Sequence, residues 1–168
     1  VREKENVMRK VLFIFIALSL LAAPAYANDI AEKLNAVLMK AQAEGNWQIP
    51  ASEIAKWIKE KRTDFLIVDV RANPQEYKNG HIPGAIHIPH TQVLQPENLK
   101  KLPKDKKIVL VCVTGQTQNL PIVPLRALGY DAHTMKFGHA SWIKGYFGGR
   151  LMQGAIAGAA KNNYPLVK

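Results

Sequence analysis

Apolar residues at Ile30, Leu34, Val37, Leu38 and Ala41 recur at helical spacing, which predicts one amphipathic helix ending at Gly45-Asn46. Trp47 to Ile49 reads as a short extended piece. Pro50 then opens a second helix with Ile54, Trp57 and Ile58 on one side. Two continuous apolar runs, Phe65-Leu66-Ile67-Val68 and Ile108-Val109-Leu110-Val111, have the pattern of strands buried on both faces. Between them, Asn73-Pro74-Gln75-Glu76 has the form of a helix start, with Asn as cap and Pro at the first position. His81-Ile82-Pro83-Gly84-Ala85 is a turn into a short strand at Ile86–Ile88, and Leu94 to Leu102 is a short helix stopped at Pro103. After the second run, Thr114 to Gln118 forms a polar loop around Gly115. A helix follows to Leu128 with Gly129 as its stop, and Pro124 should kink it or delay its start. Ala132 to Met135 is a last strand and Ala140–Phe147 a last short helix. Strands alternating with helices predict a parallel α/β sheet.

Both ends depart from this pattern. Arg9 and Lys10 precede an apolar run from Val11 to Ala23, followed by Pro24 and Ala25-Tyr26-Ala27. A basic start, a short greasy stretch and a small-residue site predict a signal peptide over 1–27. Met8 is its expected start, residues 1–7 an upstream extension, and the chain is expected to be periplasmic or secreted, with no stable membrane span after cleavage. The alternative is an uncleaved anchor, for which the run is short. At the other end, Gly148, Gly149, Gly154 and Gly158 sit among Ala155, Ala157, Ala159 and Ala160. That segment reads as a flexible or loosely helical tail, or as a packing or dimer arm built on small residues. Asn163-Tyr164-Pro165-Leu166 reads as a docked extension.

With 168 residues, 48% apolar and 21% charged, the composition is globular and excludes disorder and solenoid arrays. The net charge of +10 favours the approach of small anions. No basic stripe interleaved with aromatics suggests nucleic acid. The single cysteine excludes an intrachain disulfide and cysteine-rich zinc sites. In an oxidising compartment it is either inert or present for its chemistry.

Position favours chemistry. Cys112 follows the second buried strand directly, and ligand sites in open α/β sheets lie at the carboxyl ends of strands. Backbone N–H groups of Val113, Thr114, Gly115, Gln116 and Thr117 can curl around the sulfur if Gly115 permits the turn. The next helix would aim its positive end at the same point. Both favour thiolate over thiol, and such a nest of donors suits an anionic sulfur substrate. Asp69-Val70-Arg71 ends the preceding buried strand, so its charges reach the same edge of the sheet. There Arg71 could brace a loop by donating to carbonyls, and Asp69 could orient a neighbouring N–H.

Asp69-Val70-Arg71, then Glu76-Tyr77, then Gly80-His81-Ile82-Pro83-Gly84-Ala85-Ile86 resembles the first signature of the rhodanese family. Ile108 to Cys112 with Gly115 is similar to its active-site strand and loop, and Gly129-Tyr130 with Gly138 to Trp142 to its closing pattern. The resemblance implies a rhodanese-like domain over about 47–147, preceded by an N-terminal helix at 28–46 and followed by an extension at 148–168. It implies a five-stranded parallel sheet flanked by helices, and sulfur transfer in two steps. The cysteine takes the outer sulfur of a donor such as thiosulfate or polysulfide as a persulfide, and a thiol, cyanide or protein acceptor removes it. The nucleophile carries over to Cys112, the substrate loop to Val113–Thr117, and loop support to Asp69 and Arg71. The rival reading is a module that binds and delivers sulfur without fast turnover.

Val113 and Thr117 stand where this family often has Arg or Lys, so the loop carries no charge. That favours polysulfide, persulfides or an organic thiosulfonate over dianionic thiosulfate. Six residues after Cys112 stands Gln118, not the Arg that related phosphatases need. His81 is expected to hydrogen-bond backbone, and His133 and His139 to be surface or strand-end residues. No metal site, cofactor motif or hydrolase triad is evident.

Overall fold

The computed structural model describes residues 27–162 and 165–167. The expected signal peptide and its cleavage site lie almost wholly outside them. The described residues divide into two units, one up to Lys40 and the other from Ala41 onward. Helix α1 spans 27–41, and of its apolar stripe Ile30 and Leu38 are exposed.

The second unit holds a five-stranded parallel sheet in the order β1-β5-β4-β2-β3. The strands are β1 Gln48–Ile49, β2 Phe65–Asp69, β3 Ile86–His87, β4 Lys107–Val111 and β5 Asp131–Met135. Ile108 to Val111 have no exposed surface, as a strand covered on both faces requires. Ile54 and Trp57 of α2 (Ala51–Lys59) pack with Ile67, Val109, Val111, Ile82 and Met135 into the main core. Helix α3 (Pro74–Asn79) starts as expected: the Asn73 side chain accepts the Gln75 N–H at 2.9 Å, and Pro74 needs no partner for an absent N–H.

Two expected elements differ, and the helix after the cysteine loop starts late. The helix expected over 94–102 is reduced to α4, Pro96–Leu99, flanked by turns. Buried Asn98 spends its amide on the Gln92 carbonyl at 2.8 Å, tying down the turn rather than prolonging the helix. The segment after Cys112 enters a 3-10 turn at Thr117–Asn119, and α5 starts only at Ile122 and ends at Ala127. Pro121 caps α5 and Pro124 occupies its first turn, where a missing N–H costs nothing. The helix expected at Ala140–Phe147 is a 3-10 turn, Gly138–Ser141, with a longer helix α6 beginning at Phe147 and reaching Asn162. The Gly/Ala-rich tail therefore has one continuous helix as its body.

Candidate functional site

The register of the parallel strands assembles one sheet edge. Asp69 pairs with Val111 on one side and His87 on the other, so Cys112, Asp69 and His87 emerge together at the carboxyl ends of β4, β2 and β3. Cys112 is 2% exposed, and the loop after it turns back on its own sulfur. Gly115 makes this possible with φ +87°, and its N–H donates to Cys112 Sγ at 3.2 Å. Among the described residues this is the one N–H bonded to the sulfur. A donor aimed at sulfur stabilises negative charge there. The α-helical positive end expected behind the loop is replaced by the single 3-10 turn, so the loop's own backbone carries that role.

The hydrogen-bonded carbonyls and amides of the loop are tied to neutral groups. The Cys112 N–H donates to Gln118 Oε1 at 2.8 Å, and Gln118 Nε2 donates to the Met135 carbonyl at 2.6 Å. Gln118, 1% exposed, thus closes the six-residue loop and fastens it to the end of β5. Val113 O accepts from Ala140 N at 3.0 Å, and Gly115 O from Asn119 Nδ2 at 2.6 Å. Thr114 is half-buried, whereas Gln116 and Thr117 are exposed at the loop's rim.

Two glycines let other segments approach. A Cβ on Gly138 would lie 2.3 Å from Cys112 O and 2.8 Å from Gly115 N. A Cβ on Gly148, in the first turn of α6, would lie 2.8 Å from Val113 Cγ1. The tail helix therefore begins against the cysteine loop.

Asp69 and Arg71 do not touch that loop by any hydrogen bond among the described residues. They form a buried forked pair: Arg71 Nη2 and Nε donate to Asp69 Oδ2 and Oδ1 at 2.6 and 2.9 Å. Arg71 also donates to the Gly80 carbonyl at 2.7 Å and to Tyr146 Oη at 3.3 Å, and its own N–H reaches Asp69 Oδ1. The brace expected of Arg71 thus goes to the turn of the first signature. Burial opposes the guanidinium charge, but the bonds and attraction from Asp69 outweigh it and raise the Arg71 pKa.

The link from this pair to Cys112 is His139, which is not a surface residue: it is 1% exposed. Its backbone N–H and its Nδ1 lie 2.8 and 3.1 Å from Cys112 O. A carbonyl only accepts, so Nδ1 carries the proton. Nε2 is left without a hydrogen-bond partner, 3.7 Å from Asp69 Oδ2. Burial, then the nearby Arg71 charge, lowers the His139 pKa, which keeps the ring neutral. Sequence reading singled out neither His139 nor Gln118 for the site. The only signal was a polar residue beside a glycine or at the foot of a polar loop. His81 does bond backbone, through Nδ1 to the Tyr77 carbonyl at 2.9 Å. No cluster of three or more His, Cys, Asp or Glu side chains suited to a metal occurs among the described residues.

A lone cysteine cradled at the carboxyl edge of this parallel sheet defines the class: residues 50–144 match the model of the rhodanese-like domain, and the chain belongs to that family. Among solved structures, a rhodanese-like domain protein from Staphylococcus aureus is 30% identical with a TM-score of 0.52, covering 58% of this chain and 92% of that one. A rhodanese-related protein from Thermoplasma volcanium is also 30% identical, at a TM-score of 0.50, covering 59% and 93%. Among curated relatives, a tRNA sulfurtransferase of Desulfurococcus amylolyticus is 38% identical over 82 residues, 49% of this chain and 16% of that protein. The probable adenylyltransferase/sulfurtransferase MoeZ of Mycobacterium tuberculosis is 33% identical over 105 residues, 62% of this chain and 26% of that protein. The chain thus spans about a quarter or less of the curated relatives it matches.

Proposed function

We propose that the chain is a sulfurtransferase whose Cys112 carries sulfane sulfur as a persulfide. The observation that supports this most is the Gly115 N–H on Cys112 Sγ, inside a loop whose backbone is otherwise tied to neutral partners. Cys112 thiolate attacks the outer sulfur of the donor, whose S–S bond breaks and whose remainder leaves with the electron pair. An acceptor thiolate then attacks the outer sulfur of the Cys112 persulfide, and the Cys112 thiolate is restored. The Gly115 N–H stabilises charge on Sγ at the start and end of this cycle. Asp69, Arg71 and His139 hold the edge of the sheet on which the loop stands. Val113 to Thr117 form the mouth through which the donor enters.

The loop's lack of charge bears on the donor. Thiosulfate carries two negative charges, and each charge-assisted bond that a neutral donor replaces is worth roughly 1.5–3 kcal/mol. Inorganic polysulfide and persulfides, with more diffuse charge, depend less on a cation. Steady-state kcat/KM for polysulfide and thiosulfate, in wild type, Thr117→Arg and Cys112→Ser, tests the reading. Polysulfide is preferred in wild type, Thr117→Arg raises thiosulfate activity selectively, and Cys112→Ser abolishes both. Activity that survives Cys112→Ser refutes the persulfide route. The uncharged loop and the buried cysteine also favour a second reading, a sulfur-delivery module; stoichiometric loading without turnover on any thiol acceptor would select it.

The basic start, apolar run and Ala25-Tyr26-Ala27 site support export to the periplasm or beyond, with cleavage after Ala27. An intact mass from the native compartment beginning at Asn28 is the expected result.

A further inference from the structure

Beside the cysteine loop lies an open apolar groove of about 340 Å³, lined by Phe137, Ala140 and Ser141 on one wall and by Gly149, Met152 and Ile156 of α6 on the other. Its walls are continuous with the loop. The Phe137 backbone lies 2.9 Å from where a Gly115 Cβ would be, Ala140 N donates to Val113 O, and Gly148, next to Gly149, abuts Val113 and Thr114. Phe137 is doubly unusual. It sits in the left-handed region, at φ +64° and ψ +12°, which bulky side chains avoid, and its ring is 50% exposed. The close approach of the backbone to Gly115 explains the turn. It does not explain a large aromatic there, and such outliers gather at functional sites.

Charge narrows the occupant. The groove's walls and the loop from Val113 to Thr117 carry neutral side chains, with a cation only beside them, Lys136 Nζ, 5.5 Å from the Phe137 ring centroid. Such walls favour an apolar organic body, and the ammonium beside them suits an anionic sulfur end. The volume lies within the roughly 300–1,000 Å³ of small-molecule pockets.

We propose that this groove holds the apolar body of an organic sulfane-sulfur compound while its sulfur end reaches Cys112, a subsite that rests on the reading of Cys112 as sulfur carrier. For an organic persulfide R–S–SH, Cys112 thiolate attacks the outer sulfur, the S–S bond breaks, and R–S⁻ leaves with the electron pair. For the stable probe R–SO₂–S⁻ the same attack expels the sulfinate R–SO₂⁻. Neither step needs an external oxidant or reductant.

The test is kcat/KM of the full chain for a series of alkanethiosulfonates from methyl to hexyl, with inorganic polysulfide loading of Cys112 as a parallel measurement. A buried methylene gives up to about fourfold, so kcat/KM should rise by at least about twofold per carbon, mainly through KM. Ile156→Glu, at a position 69% exposed and therefore tolerant, should cut the hexyl-to-methyl ratio by at least about tenfold. Phe137→Gly should do the same without lowering thermal stability, because glycine suits the backbone there. A flat series with normal polysulfide loading overturns the subsite alone. So does a steep series that neither variant alters. A flat series with self-association abolished by Ile156→Glu would give the face to a second copy of the chain, and also overturns it. If no donor, polysulfide included, loads Cys112, the reading of the loop fails and the subsite with it.

Discussion

At Gly138 a single hydrogen stands where any other side chain would meet the carbonyl of Cys112 at 2.3 Å and the amide of Gly115 at 2.8 Å. Both obstacles are backbone, so neither swings aside, and φ +55° adds strain for a non-glycine residue. Gly138→Ala is expected to cost about 2–4 kcal/mol, from overpacking and backbone strain together, and to lose sulfur loading. Denaturant unfolding and loading assays check this, and a variant as stable and active as wild type would contradict the packing described. His139 makes a second prediction through pH. Asp69, Arg71 and Tyr146 face its ring, and its pKa is lowered by burial and by Arg71. That of His133 is lowered too, by burial and by Lys107. The unfolded chain therefore binds protons near pH 6.5 that the folded chain refuses, so stability falls as pH drops below about 6.5, by at most about 1.4 kcal/mol per pH unit for each group. Urea midpoints measured from pH 7 to 5 should fall in wild type and fall less in His133→Asn/His139→Asn; equal slopes would contradict it. The cysteine's place was legible because a fully apolar run ends on it. His139 and Gln118 were not, because their partners, Cys112 O and the Met135 carbonyl, lie 27 and 17 residues away in the chain.

Among the elements, β2 and β4 were readable from their apolar runs, whereas β1 and β3, two residues each, are defined by pairing rather than by pattern. The helix after the loop ends at Ala127, capped by Leu128 as its Gly129 stop predicts, and starts late, at Ile122, leaving a 3-10 turn to close the loop. Helix α6 is the largest gain over sequence reading. Its glycines and alanines have low contrast between faces, so the sequence supports no more than a flexible or loosely helical tail, yet Gly148 is where the helix must approach Val113. Gly154 has no such duty: it is exposed, and an added Cβ would meet nothing within 4 Å. Gly154→Ala should therefore raise stability by about 0.5–1 kcal/mol, whereas Gly148→Ala should lower it. Thermal melts of the two variants separate a docked helix from a free tail; if both behave as Gly154→Ala does, α6 does not lean on the loop.

Over the whole molecule, the parallel order β1-β5-β4-β2-β3 brings the ends of β2 and β4 together, so Asp69 and Cys112 sit at one edge although 43 positions apart in the chain. The rhodanese-like domain supplies the sheet and the loop, and α6 adds a wall beside that loop. The net charge of +10 draws anions toward the chain, while Val113 to Thr117 carry no charge of their own to clamp them. The most direct test of the account is the intact mass of the full chain after brief incubation with inorganic polysulfide, in wild type and in Cys112→Ser. The account predicts the gain of one sulfur atom in wild type, removed by a thiol acceptor, and no gain in Cys112→Ser. A wild-type protein that takes up no sulfur, or a Cys112→Ser variant that takes it up equally, would contradict it.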